Sequence, residues 1–211
     1  MNRTDAIGVV DYGMGNLRSV SKALETLGFP TRVSGDPAEL CRCRGIVLPG
    51  VGAFRDCMEN LSRQGLLSFL SDALADGRPF LGICLGQQLL FTESEEFGRH
   101  KGIGFLPGKV VRFPARAALK IPHMGWNRVE FATDHAMFRG IPSGSYFYFV
   151  HSYYVVPDDP SVIACRTSYG VEFASGVGGG NFLAVQFHPE KSQVAGLALL
   201  SNFGRMCRDA A

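Results

Sequence analysis

Five residues, Gly82-Ile83-Cys84-Leu85-Gly86, constrain this chain more than any other stretch. Apolar Pro79-Phe80-Leu81 leads in with the pattern of a buried strand, and Gln87-Gln88-Leu89-Leu90-Phe91 leads out as the first turns of a helix. Cys84 therefore stands where a strand reverses sharply into a helix, the geometry of a nucleophile elbow with sulfur in place of oxygen. Such a turn requires glycine two residues before and two after, because side chains there collide with strand and helix and the nucleophile's own backbone is strained. Unpaired N–H groups at the helix start favour the thiolate. Taken alone, a Gly-x-Cys-x-Gly string fits an inert buried cysteine equally well.

The remainder of the chain has to decide between these. At 211 residues and 46% hydrophobic, it can bury a substantial core and reads as one domain, residues 1–211. A net charge of +2 with interspersed signs leaves no footprint for nucleic acid or an anionic membrane, so small neutral or zwitterionic substrates fit better. No apolar run reaches membrane-spanning length. The six cysteines lie irregularly, and Met1-Asn2-Arg3-Thr4-Asp5 leads directly into a strand-like segment without a secretory leader. Free thiols in a reducing cytoplasm are therefore expected. Cys41-Arg42-Cys43 lacks the further ligands that would complete a metal site, and it reads as loop or edge packing.

Upstream, Ala6-Ile7-Gly8-Val9-Val10-Asp11-Tyr12 runs into Gly13-Met14-Gly15-Asn16, after which Leu17, Val20, Leu24 and Leu27 recur at helical spacing. Arg18 stands where a dinucleotide fingerprint would put its third glycine, which weighs against pyrophosphate binding. Thr31-Arg32-Val33 and Gly45-Ile46-Val47-Leu48 read as further strands. The second of these feeds Pro49-Gly50-Val51-Gly52-Ala53-Phe54, whose glycines free backbone N–H groups to point into a site if the loop lies beside the elbow. An ordinary connecting loop fits the same residues.

Helical stretches follow through Met58-Glu59-Asn60-Leu61 and from Leu66 to Ala75. Past Phe91, the cluster Glu93, Glu95 and Glu96 reads as a solvated helix end that could also meet an ammonium group. From Gly108 onward, aromatic and β-branched runs broken by Pro or Gly predict an added antiparallel or mixed portion. Gly178-Gly179-Gly180-Asn181 predicts a hairpin turn. A closing helix spans about Val194 to Arg208, with Leu197, Leu200 and Phe203 as its apolar stripe.

A thiolate attacking an acyl carbon needs an acid for the leaving group and then a base for water. Of five histidines, His188 ends an apolar strand and is followed by Pro189-Glu190. In a segment that proline keeps extended, imidazole and carboxylate point to one side, so Glu190 can orient the ring while its other nitrogen faces sulfur. His100 and His135 read as satisfied structural residues. His123 and His151 sit in motifs, His123-Met124-Gly125-Trp126-Asn127 and His151-Ser152-Tyr153, without an evident carboxylate orienter.

Together, the Pro-Gly-Val-Gly loop, the Gly-x-Cys-x-Gly elbow followed by Gln88, and His188-Pro189-Glu190 resemble the class I glutamine amidotransferases. Asp11-Tyr12-Gly13-Met14-Gly15-Asn16, His123-Met124-Gly125-Trp126-Asn127, His151-Ser152-Tyr153 and His188-Pro189-Glu190-Lys191-Ser192 are more closely similar to the glutaminase subunits of imidazole glycerol phosphate synthase, an enzyme of histidine biosynthesis. The resemblance spans nearly the whole chain. It implies an α/β, flavodoxin-like fold: an open, largely parallel sheet flanked by helices, with antiparallel strands added in the C-terminal half.

The resemblance further implies hydrolysis of L-glutamine through a Cys84 thioester. His188 serves as acid and then base, and Glu190 as its orienter. Backbone N–H groups of Leu85 and of the Val51-Gly52 loop receive the oxyanion. Gln88, Ser152 and Tyr153 hold glutamine, and Glu96 pairs with its ammonium. No cofactor or metal is implied. Ammonia loses its lone pair once protonated in water, so the family docks a (β/α)₈ cyclase subunit over the exit as a heterodimer. Asn16, Trp126 and Lys191 are the expected contacts, Trp126 as an anchor in a polar loop; a core tryptophan and a solvated lysine are the plain alternatives. Glutaminase subunits for anthranilate or aminodeoxychorismate share the triad, but His-Met-Gly-Trp-Asn and Pro-Gly-Val-Gly argue against them. A partner-free cysteine peptidase and a non-catalytic interaction subunit are the readings from other classes.

Overall fold

Short aliphatic runs alternate with helices through the first half of the chain. Strands Thr4–Val10 (β1), Thr31–Ser34 (β2), Cys43–Gly50 (β3) and Phe80–Cys84 (β4) are interleaved with helices Leu17–Thr26 (α1), Pro37–Leu40 (α2), Phe54–Arg63 (α3) and Leu66–Ala75 (α4). A one-turn helix, Leu85–Gln88 (α5), follows β4 directly. β1 pairs parallel with β2 and β3, and β3 pairs parallel with β4. This is the arrangement that strand-helix-strand repeats enforce. The computed structural model describes residues 4–115 and 119–210, so the lead-in Met1 to Arg3 lies outside the described residues.

The second half adds strands Phe91–Ser94 (β5), His100–Lys101 (β6), Leu106–Arg112 (β7), His123–Phe131 (β8), Ser145–His151 (β9), Tyr153–Pro157 (β10), Ile163–Ser168 (β11), Glu172–Gly179 (β12) and Phe182–Val185 (β13). Helix Gln193–Asp209 (α6) closes the chain. The sheet runs β2-β1-β3-β4-β13-β12-β10-β7-β5-β6, while β11 joins β12 to β8 and β8 pairs with β9. β12 and β13 meet antiparallel across Gly180-Asn181, with Gly179 opposite Phe182, which is the hairpin that the glycine run predicts.

Period-two alternation along the strands separates two cores. Val9, Val47, Leu81 and Ile83 face α1 and α6, whereas Val10, Ile46, Leu48 and Phe80 face α2, α3 and α4. The sheet is thus covered on both faces around β3 and β4, and chemistry is confined to the strand ends.

Two registers position the site. β13 lies parallel to β4 with Val185 opposite Ile83, so the residues after β13 leave the sheet at the same edge as Cys84. On the other side Gly50 is opposite Cys84, which brings the Pro49–Gly52 loop against the elbow.

Four local expectations are corrected. The elbow helix is a single turn, Leu85–Gln88, after which the chain is drawn into the sheet as β5. Phe91 instead pairs with Leu106, so the acidic cluster opens on a strand and not on a helix end. In α6, Leu197 is 38% exposed, and the buried stripe is Gly196, Leu199, Leu200, Phe203, Gly204 and Cys207. Trp126 lies on β8, not in a loop.

The elbow glycines are explained by contact. A Cβ on Gly82 would come 2.8 Å from the Ala184 Cβ, and one on Gly86 would overlap the Leu48 carbonyl oxygen. Both neighbours are backbone or short side chains that cannot swing away. Gly86→Ala is therefore expected to lower stability by about 1–3 kcal/mol through overpacking. Urea unfolding of the variant checks this, and an unchanged midpoint would mean that the sheet accommodates the methyl group.

Candidate active site

Cys84 is the last residue of β4 and adopts φ 56°, ψ −111°, a left-handed conformation that costs a non-glycine residue energy. The strain is held by the buried strand before it and the helical turn after it. Leu85 is the first residue of that turn, so its N–H has no intrahelical acceptor.

His188 reaches the same place from β13. Its backbone N–H donates to the Tyr148 carbonyl at 2.9 Å, and its carbonyl accepts from the Ser192 hydroxyl at 2.6 Å. The Ser192 hydroxyl in turn accepts from the Tyr148 N–H at 3.0 Å, which ties the segment to β9. His188 Nδ1 lies 2.9 Å from Glu190 Oε1, with the two side chains 2% and 1% exposed. The pairing has a different origin from the extended segment expected. Pro189–Lys191 is a 3₁₀ turn, and it is the turn that curls Glu190 back under the ring.

Val51, Gly52, Cys84, Leu85, Gln88, Glu96, Ser152, Tyr153 and His188 all line one cavity of about 310 Å³. This lies within the range of small-molecule sites. The loop at its mouth is fixed from below: Tyr12 donates its hydroxyl to the Pro49 carbonyl at 2.8 Å, and Cys57 Sγ donates to the Val51 carbonyl at 3.7 Å. A planar peptide then turns the Gly52 N–H away from Cys57. Glu96 is only partly free for a ligand, since its Oε2 accepts the Phe54 N–H at 2.6 Å, at the first turn of α3.

Residues 8–206 match the model of the glutamine amidotransferase class-I family. The chain is 54% identical to "Imidazole glycerol phosphate synthase subunit HisH" of Syntrophotalea carbinolica over 95% of its own length and 100% of the relative's. It is 53% identical to the protein of the same name from Moorella thermoacetica, over 97% and 96% of the two chains. The chain belongs to the class I glutamine amidotransferase family, among its HisH subunits. Solved structures agree on the fold: a glutamine amidotransferase superposes with TM-score 0.74 at 20% identity over 96% of this chain and 98% of its own. PurLQS from Thermotoga maritima does so with TM-score 0.72 at 21% identity over 98% of both.

In this amidotransferase the electrostatics centre on His188. Burial on its own disfavours the charged imidazole, but the Cys84 thiolate and the Glu190 carboxylate outweigh burial and raise the pKa to about 10. The ring is therefore protonated at neutral pH and is a ready acid. Its Nε2 is buried, and after burial itself the neighbouring Cys84 is the largest influence on the ring's charge. His188 is also one of the residues that line the cavity.

Three features went unread in the sequence. Gln186, fully buried, bonds to both Cys84 and Gln88; a lone glutamine inside the apolar run Phe182 to Phe187 was the available signal. His123 and His151 bond to each other at 2.9 Å. Burial lowers their pKa values to about 4 and about 3, with His188 adding to the effect on His151. Both are neutral at pH 7, and His151 Nδ1 donates to the Tyr153 carbonyl at 2.8 Å, which fixes that wall of the cavity. Of the two histidines read as satisfied, His135 is, accepting from the Met137 N–H and donating to the Phe182 carbonyl. His100 is not: its Nε2 is buried without a hydrogen bond among the described residues.

The expected contact residues lie in two groups. Trp126, 45% exposed, packs edge-on against Tyr148, and the Lys191 ammonium stands 5.8 Å from the centre of that same ring. Tyr148 also lies beside His188. Asn16 begins α1, after a loop in which Met14 and Gly15 approach Gly52 and Pro49.

Proposed function

We propose that this single-domain chain hydrolyses L-glutamine to glutamate and ammonia as the glutaminase subunit of imidazole glycerol phosphate synthase, in histidine biosynthesis. The observation that carries the reading is the convergence of a strained Cys84, a protonated His188 backed by Glu190, and one cavity shared with Val51, Gly52, Leu85 and Gln88.

The thiolate attacks the carboxamide carbon, and the N–H groups of Leu85 and of the Val51-Gly52 loop take the oxyanion. His188 passes its proton to the departing ammonia, then removes one from the water that hydrolyses the thioester. Glu190 holds the ring for both transfers. Gln88, Ser152 and Tyr153 hold the substrate, and the Glu96 carboxylate meets its ammonium group.

Ammonia must leave without meeting water. A (β/α)₈ cyclase subunit docked as a heterodimer on the β8–β9 face meets this need, because Pro122 and Val150 of the cavity wall run on to exposed Met124 and Trp126. Trp126 and Lys191 are contacts there, with Asn16 on the neighbouring loop. Free thiols at all six cysteines fit a reducing cytoplasm, and among the described residues no helix is long and apolar enough to cross a membrane.

Glutamine turnover by the chain alone and during titration with the cyclase and its ligand tests the reading. Turnover that rises to a stoichiometric end point supports it; cleavage of peptides but not glutamine overturns it. In the same titration, Trp126→Ala is expected to weaken association by about 2 kcal/mol or more. The melting temperature should stay put, since the ring is already half in solvent.

A further inference from the structure

We infer that Gln186 is a catalytic residue acting on the nucleophile itself, donating a side-chain N–H to Cys84 Sγ and tying that sulfur to Gln88. This rests on the glutaminase reading and adds a residue to it. The amide's orientation is dictated by its neighbours. The Tyr153 carbonyl can only accept, so the Gln88 atom 3.1 Å from it must be Nε2. That same nitrogen lies 2.9 Å from Gln186, which must therefore present Oε1. What remains for the sulfur is Gln186 Nε2, at 3.6 Å.

The arrangement is hard to disturb. Gln186 has no solvent exposure, and its backbone N–H donates to the Ser175 carbonyl at 2.9 Å, across the sheet from β12. An amide buried this completely is costly unless its groups are bonded, and here one of the bonds falls on a reacting atom.

The donor has most to do in the second half of the reaction. In the first, the S–C bond forms, the C–N bond breaks and the proton of His188 leaves with ammonia. In the second, water adds its oxygen to the carbonyl carbon and its proton to His188, the C–S bond breaks, and the electron pair returns to sulfur. Charge thus develops on Sγ as the thioester collapses, where a fixed N–H lowers the barrier. The link through Gln88 connects the same donor to a wall of the cavity.

The test compares wild type with Gln186→Met, which keeps the length of the side chain and removes the donor, and Gln186→Leu, which removes the donor at similar volume. All are assayed with the cyclase and its ligand present. Both variants are expected to lose kcat about tenfold, the lower range for one hydrogen bond to a charged atom, with KM falling alongside it because the slowed step is hydrolysis of the thioester. Intact-mass analysis of quenched turnover should find the Cys84 thioester accumulating, which a merely structural role would not produce. The pH profile of Cys84 alkylation by iodoacetamide should move to higher pH by up to about one unit in both variants, the shift expected from losing one such hydrogen bond. Wild-type kcat and alkylation profile in a folded variant overturn the inference. Loss of the glutaminase reading looks different: wild type would be inactive, or Cys84→Ala active, while the alkylation profiles would still decide the role of Gln186.

Discussion

Cys84→Ala is expected to abolish glutamine hydrolysis, by at least about 10⁴-fold, in the presence of saturating cyclase and its ligand. Removing the nucleophile from a covalent mechanism leaves only the binding and oxyanion contributions, and neither can open the carboxamide without an attacking atom. The fold should survive. Alanine occupies less space at a site that is already part of a cavity, and the φ of 56° at this position is no worse for alanine than for cysteine. Synthesis driven by added ammonium salt should continue at the wild-type rate, because the substitution leaves the proposed docking face on β8 and β9 untouched. Ammonia release per glutamine consumed, followed alongside that salt-driven reaction, is the measurement. Residual glutaminase within a hundredfold of wild type would show that sulfur is not the nucleophile, and loss of the salt-driven reaction as well would point to a damaged interface.

How much of this was legible in sequence depended on whether the signal was local. The elbow was, because a strand-to-helix reversal around Cys84 leaves no choice but glycine at 82 and 86, and the structure gives each a steric reason. The His188–Glu190 pair was legible in its partners but not in its geometry: proline after histidine suggests an extended segment, whereas Pro189 here opens a 3₁₀ turn. The length of the elbow helix was not legible, since Leu89-Leu90-Phe91 continues a helical pattern until a partner strand, β7, takes Phe91.

Gln186 and the His123–His151 pair were hidden for a third reason. Their roles depend on β13 lying beside β4 and on β8 lying beside β9, contacts between segments far apart in the chain. A buried polar side chain announces that it has a partner, but only topology says which one. Trp126 shows the reverse: the glycine and polar residues around it point to an exposed ring, whereas its place on strand β8 became visible only with the sheet.

Glu190→Gln is expected to cost roughly 10²- to 10⁴-fold in kcat and to move the alkaline limb of the pH–rate profile to lower pH. The size follows from orientation: glutamine can still accept from Nδ1 but can also present its NH₂ there, and either way it brings no charge to hold the imidazolium. The direction follows from the causes of the shift. Burial pulls the pKa of His188 down, while the Cys84 thiolate and the Glu190 carboxylate push it up to about 10, so removing one of the two charges lets burial regain ground. The same linkage acts on stability. A histidine whose folded pKa lies above its unfolded value near 6.5 stabilises the fold fully below about pH 6.5, and that contribution is lost as pH rises through about 10. Wild type should therefore lose stability across that window by more than Glu190→Gln or Cys84→Ala does. Urea midpoints at pH 6, 8 and 10 measure it. Equal slopes in all three proteins would mean that the imidazole carries no proton at neutral pH, and the acid that releases ammonia would have to be sought elsewhere in the cavity.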